Sequence, residues 1–137
     1  MLERIEKLKE VLSKPKKIVI TTHRGPDGDA IGSSLALYNL LTKNHHSVSV
    51  VTPNDYASFL HWLPGNDNVI EYESSKETAV DLVNDAEVIF MLDFNDISRI
   101  DGLSKYVSSS NAYKILIDHH QDPHNAVSYT HLRAHET

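Results

Sequence analysis

The stretch "KKIVITTHRGPDGDAIGSSLALYNLLTKN", residues 16–44, decides how the chain folds. Its opening residues KKIVITT (16–22) are a β-branched run bounded by turn-formers, which predicts a buried strand. A loop of Gly, Pro and Asp follows, and DAIGSSLALYNLLTKN (29–44) predicts a helix with Asp29 at or near its N-cap. In the loop the glycines read as structural: Gly28 supplies a turn, and Gly32 is expected to let the helix approach the sheet closely.

The alternation extends both ways. Upstream, LERIEKLKEVLS (2–13) repeats Leu2, Ile5, Leu8 and Val11/Leu12 at the spacing of one helix face, and Pro15 ends it. Downstream, HSVSVVT (46–52) is strand-like, DYASFLHWL (55–63) predicts a short helix closed by Pro64-Gly65, and NVIEY (68–72) a short strand. SKETAVDLVND (75–85) predicts a helix opened by a Ser-x-x-Thr near-cap. EVIFMLD (87–93) and AYKILID (112–118) are two further apolar strands, and the residues between them must contain a crossover. Strands that are continuously apolar belong to a parallel sheet covered on both faces. The expected class is therefore α/β: a doubly wound, mostly parallel sheet of about five strands with helices on both faces.

Composition narrows the function. The chain has 137 residues, 40% of them hydrophobic, enough for one domain with a real core. No apolar run approaches the roughly 18 residues of a membrane span, and the charged N-terminus is not a signal peptide, so a cytoplasmic location without membrane partners is expected. The absence of cysteine excludes disulfides, thiolate catalysis and cysteine zinc sites. A formal net charge of −6 argues against duplex DNA, although two divalent cations would bring it to about −2 and admit a small anion.

Three strands finish in polar chemistry. The strand at 16–22 runs into His23, Asp27 and Asp29; that at 87–93 ends in Asp93, before Asn95 and Asp96; that at 112–118 ends in Asp118, His119 and His120. Each has a plainer reading alone: a turn and helix cap, an ordinary strand-end acid, a solvated loop. Together they are hard to explain as independent turns, because ligands of open parallel sheets bind beyond the carboxyl ends of the strands. Right-handed crossovers permit the first strand to lie beside 87–93, and that beside 112–118, with 46–52 on the other flank. Carboxylate and imidazole without thiolate suit Mn²⁺, with Mg²⁺, Co²⁺ or Zn²⁺ as substitutes. So many donors suit two ions about 3.5–4 Å apart sharing a carboxylate, an arrangement for phosphoryl hydrolysis.

HRGPDGDAIGSS, MLDFND and DHHQDP resemble the first three motifs of the DHH phosphoesterase superfamily, which includes RecJ-like nucleases. The context PN…FLHWLPG and DFNDISRI is most similar to its branch of bifunctional oligoribonucleases and PAP (3′,5′-bisphosphate nucleotide) phosphatases. The likeness spans residues 1–125 and implies a DHH domain followed by a smaller substrate-binding domain. It implies that His23, Asp27 and Asp93 bind one metal, and that Asp29, Asp93 and His119 bind a second. Asp118 would orient a ligand histidine; His120 would contact the substrate phosphate and assist proton transfer, with Arg99 a further phosphate contact. Short RNA or a small nucleotide is the implied substrate. Ser33 and Ser34 could meet an anion at the helix start, but packing and capping explain them better.

After DHHQDPHN the pattern departs. Residues 126–137, AVSYTHLRAHET, read as a tail outside the family that resembles translated sequencing-adaptor sequence. A fourth metal-binding aspartate and the second domain are then missing, so weak activity is expected, and the uncovered sheet edge would favour a homodimer. Three rivals stand beside this reading. An inorganic pyrophosphatase of the same superfamily would use the same ligands. A phosphoacceptor domain binding one Mg²⁺ and phosphorylated on Asp93 leaves His23, His119 and His120 without a role. A non-catalytic nucleotide-binding module leaves the ligand set unexplained.

Overall fold

The apolar runs pair into one parallel sheet. The computed structural model describes residues 2–22, 28–53, 69–92, 102–118 and 129–133. Among these the elements are α1 (Leu2–Val11), β1 (Lys17–Thr22), α2 (Gly28–Lys43), β2 (Ser47–Thr52), β3 (Val69–Glu71), α3 (Lys76–Asp85), β4 (Val88–Leu92), α4 (Ser104–Ser109), β5 (Tyr113–Asp118) and β6 (Tyr129–Arg133). The strand order is β3-β2-β1-β4-β5-β6, and every neighbouring pair is parallel. The chain thus reverses direction across the sheet at β1, with β2 on one flank and β4 on the other. That arrangement matches the order expected for the strands at 16–22, 46–52, 87–93 and 112–118. The helix expected at 55–63 lies outside the described residues, and α4 supplies the crossover before β5.

Both faces are buried because the strands are apolar at consecutive positions. On one face Ile18, Ile20, Val50, Phe90, Leu92 and Ile115 pack with Ile31, Leu35 and Leu41 of α2, and Leu8 and Val11 of α1 cover them. On the other, Val19, Val51, Ile89, Met91 and Leu116 pack with Ala79 and Val83 of α3 and Val107 of α4. Alternate residues of one strand therefore feed two separate cores, which is why the hydrophobicity is unbroken.

Gly32 differs from its expected role. A Cβ built there meets no atom within 4 Å, so no close approach of α2 to the sheet requires glycine. Alanine should fit and lower the entropy of the unfolded chain. Gly32→Ala is expected to raise stability by about 0.5–1 kcal/mol, read as a higher urea midpoint at unchanged slope. The two serines are resolved in favour of packing for Ser34, which is buried with its hydroxyl donating to the Ala30 carbonyl at 2.7 Å; Ser33 is exposed. Ser75 stands before α3 but makes no side-chain cap hydrogen bond.

The opposite edge of the sheet is tied by polar contacts. His45 adopts a left-handed φ of 70°, and the His45 and His46 amides donate to the carbonyls of Thr42 and Leu41, closing the last turn of α2. The buried His46 then accepts the Lys16 amide on Nδ1 at 3.1 Å, joining this turn to the start of β1. Glu87 does the same for β1 and β4: its Oε1 accepts the Lys17 amide at 2.9 Å, and its Oε2 lies 3.9 Å from Lys16 Nζ. Lys114, near the start of β5, is 5% exposed and donates to the Ser108 carbonyl at 3.1 Å, in the final turn of α4. Burial pushes its ammonium pKa down. β6 was not foreseen: it lies inside 126–137, read as a tail, and adds a sixth strand beside β5. Among the described residues no helix is long and apolar enough to cross a membrane.

Candidate metal centre

Strand register locates the candidate site. Thr22, the last residue of β1, is paired with Leu92, the last of β4, and Leu92 is paired with Ile117, one residue before the end of β5. His23 is bonded to the first of these, Asp93 to the second and Asp118 to the third. Neighbouring strands are roughly 4.8 Å apart, so three adjacent ends span about 10 Å, a width suited to two cations and their donors. β4 is the middle strand of the three. A carboxylate that follows it starts from between the other two donor segments.

α2 opens at the same rim, because the chain leaves β1 at Thr22 and re-enters helix at Gly28. Asp29 falls in its first turn, in keeping with the expected place at or near the N-cap. The backbone of Asp118 ends β5, opposite Arg133 of β6. His23, Asp27, Asp93, Arg99, His119 and His120 lie outside the described residues. Among the described residues no three His, Asp or Glu side chains are grouped to hold a metal. The donor chemistry itself fits a hard or borderline divalent ion: oxygen and imidazole nitrogen throughout, in a chain without cysteine.

Two features were not read from the sequence. Thr21 and Thr52, near or at the ends of β1 and β2, are completely buried, and neither hydroxyl has a hydrogen-bond partner among the described residues. Tyr72, just after β3, and Tyr106 of α4 form an aromatic pair with ring centroids 6.4 Å apart. The sequence signal for the first was a threonine closing each β-branched run. For the second there was none, since the tyrosines are far apart in the chain.

A doubly wound parallel sheet with acids and imidazoles following three adjacent strand ends in the sequence is an α/β domain of the kind found among metal-dependent phosphoesterases. The family model "DHH family, N-terminal domain" matches residues 17–136, and the chain belongs to that family. An exopolyphosphatase-related protein from Bacteroides fragilis superposes with a TM-score of 0.93 at 39% identity, covering 97% of this chain and 39% of that one. A probable bifunctional oligoribonuclease and PAP phosphatase of Streptococcus mutans is 30% identical over 133 residues, covering 92% of this chain and 38% of the relative. A cyclic-di-AMP phosphodiesterase of Bacillus subtilis is 24% identical over 121 residues, covering 83% of this chain and 18% of the relative. The chain thus spans between 18% and 38% of the length of these curated relatives. Both relatives are named as enzymes that hydrolyse phosphate esters.

Proposed function

We propose that this chain carries the metal-binding half of a phosphoesterase acting on short oligoribonucleotides or 3′,5′-bisphosphate nucleotides. What supports this most is the pairing of β1 with β4 and β4 with β5, which makes the strands leading into 23–29, 93–96 and 118–120 neighbours. The similarity to the Streptococcus mutans relative favours nucleotides over other phosphoesters.

In this reading His23, Asp27 and Asp93 would hold one Mn²⁺, and Asp29, Asp93 and His119 would hold a second. When bound, such ions would supply an activated water and neutralise charge on the phosphoryl oxygens. Asp118 accepts a hydrogen bond from a ligand histidine, fixing its tautomer and ring orientation. His120 meets the non-bridging phosphate oxygens, and as the P–O bond breaks it gives its proton to the departing oxygen. Arg99 is a second contact for the phosphate. The acidic rim repels a polyanion unless cations are present, so substrate and metal bind interdependently.

Hydrolysis of a small panel tests the proposal: a diadenylate, adenosine 3′,5′-bisphosphate and pyrophosphate, each with Mn²⁺ and again after chelation. Mononucleotide or phosphate should be released from the first two, and chelation should stop it. Turnover of pyrophosphate alone would transfer the chain to the pyrophosphatase reading. Activity undiminished by chelation would remove the mechanism.

A further inference from the structure

We propose that His46 is an acid-sensitive clasp. As a neutral imidazole it holds the turn between α2 and β2 onto the start of β1, and on taking up a proton it lets go. The clasp lies at the pole of the sheet opposite the ends of β1, β4 and β5, and it is built wholly of described residues. Its opening loosens α2 at the end away from Asp29.

The two segments are bonded in both directions. The Lys16 amide donates to His46 Nδ1 at 3.1 Å, and the Ser47 amide donates back to the Lys16 carbonyl at 3.0 Å. An imidazole that accepts on Nδ1 carries its hydrogen on Nε2 and is uncharged. A proton added to it must go to Nδ1, the nitrogen that already faces the Lys16 N–H. Two donors then oppose each other, the amide loses its acceptor, and a cation occupies a residue that is only 7% exposed. The backbone cannot easily re-aim the ring. The His46 amide is committed to the Leu41 carbonyl, and His45 before it is held at a φ of 70°.

The charges around the clasp do not rescue the cation. Lys16 and Lys17 at the start of β1, Lys14 in the linker before it and Lys43 in the last turn of α2 all carry the same sign. Glu87, just before β4, is engaged by the Lys17 amide at 2.9 Å and by Lys16 Nζ at 3.9 Å. Glu10 of α1 lines a cleft together with Lys7, Lys14 and Lys16. The C-terminal end of the α2 dipole favours a cation, but it cannot replace the acceptor that the Lys16 amide loses. Stability is therefore full where the imidazole is neutral. It is lost as the pH falls through the histidine range, because the unfolded chain binds a proton that the closed clasp excludes.

His46→Asn tests the clasp, because Asn Oδ1 accepts the Lys16 amide from nearly the place of Nδ1 and does not titrate. Urea unfolding of the whole chain is compared at about pH 7.5 and about pH 5.5, on either side of the value near 6.5 at which an unfolded-chain imidazole takes up its proton. Over that interval the folding constant of wild type should fall about 10-fold relative to His46→Asn. His45→Asn, a residue tolerated at a φ of 70°, should keep the wild-type dependence. A second readout needs no variant. In ¹⁵N-labelled wild type the His46 ring should carry its hydrogen on Nε2 at the higher pH. At the lower pH the Lys16 amide should lose protection from exchange while Val19, in the core, keeps it. Parallel pH profiles of wild type and His46→Asn would overturn the clasp, as would an imidazole that gains its proton while the Lys16 amide stays protected. If His46→Asn does not fold, the resonances alone decide.

Discussion

Asp93→Ala is expected to lower Mn²⁺-dependent hydrolysis by more than about 100-fold, the largest effect of any single change at the rim. Loss of an outer partner that merely orients a ligand typically costs 10–100-fold in metal affinity or activity, and a shared ligand should cost more. The position of Asp93 in the sheet is the reason. It follows Leu92, the end of the strand between β1 and β5, and those two strands lead into the other two donor segments. A readout independent of turnover comes from stability. Mn²⁺ at 100 times its dissociation constant should stabilise the native protein by about 2.7 kcal/mol, and the variant should lose most of that increment. In the metal-free protein the same change removes one charge from an acidic rim and should leave the unfolding midpoint level or raised. A variant with unaltered Mn²⁺ stabilisation and unaltered turnover would show that Asp93 is not a ligand.

The second large effect is on folding. Phe90 lies at the centre of β4, paired with Ile20 on one side and Ile115 on the other, and is 2% exposed. Its ring fills the core beneath α2, among Ile31, Leu35 and Val50. Phe90→Ala removes that volume from a site whose neighbours are held by strand pairing on both sides and cannot close in. The expected cost is about 3–5 kcal/mol. Domains of this kind have only about 5–15 kcal/mol in hand, so the variant should be partly unfolded at ordinary growth temperatures. Urea unfolding checks it: a loss below about 1 kcal/mol would contradict the packing of this face. Phe90→Leu, which retains much of the volume, should cost less. Because Phe90 points into the core beneath α2, three residues before Asp93, the leucine variant should keep its metal response.

Gly32 shows where local reading overreached. A glycine early in a helix after a strand suggests close packing, but that inference needs the distance to the sheet, which no local pattern contains. β6 escaped notice because YTHLR has the alternation of an exposed segment and becomes a strand only beside the open edge of β5. Tyr72, which follows β3, meets Tyr106 of α4 only in the folded molecule, and nothing in either segment announces the other.

By itself the sequence determined the element types, the parallel character of the sheet and the donor chemistry of the rim. Those properties are local: β-branched runs, helical periodicity, turn residues, and carboxylates and imidazoles without thiols. Only the tertiary structure decided which strands are neighbours and therefore which strand ends lie side by side. Right-handed crossovers allow more than one order, and the choice rests on contacts between residues far apart in the chain. Glu87 holding the Lys17 amide, 70 positions away, is one such contact, and the two cores shared between β1 and β4 are the larger one. Long-range burial stabilises one order over the others, and it leaves no periodicity behind in any single segment.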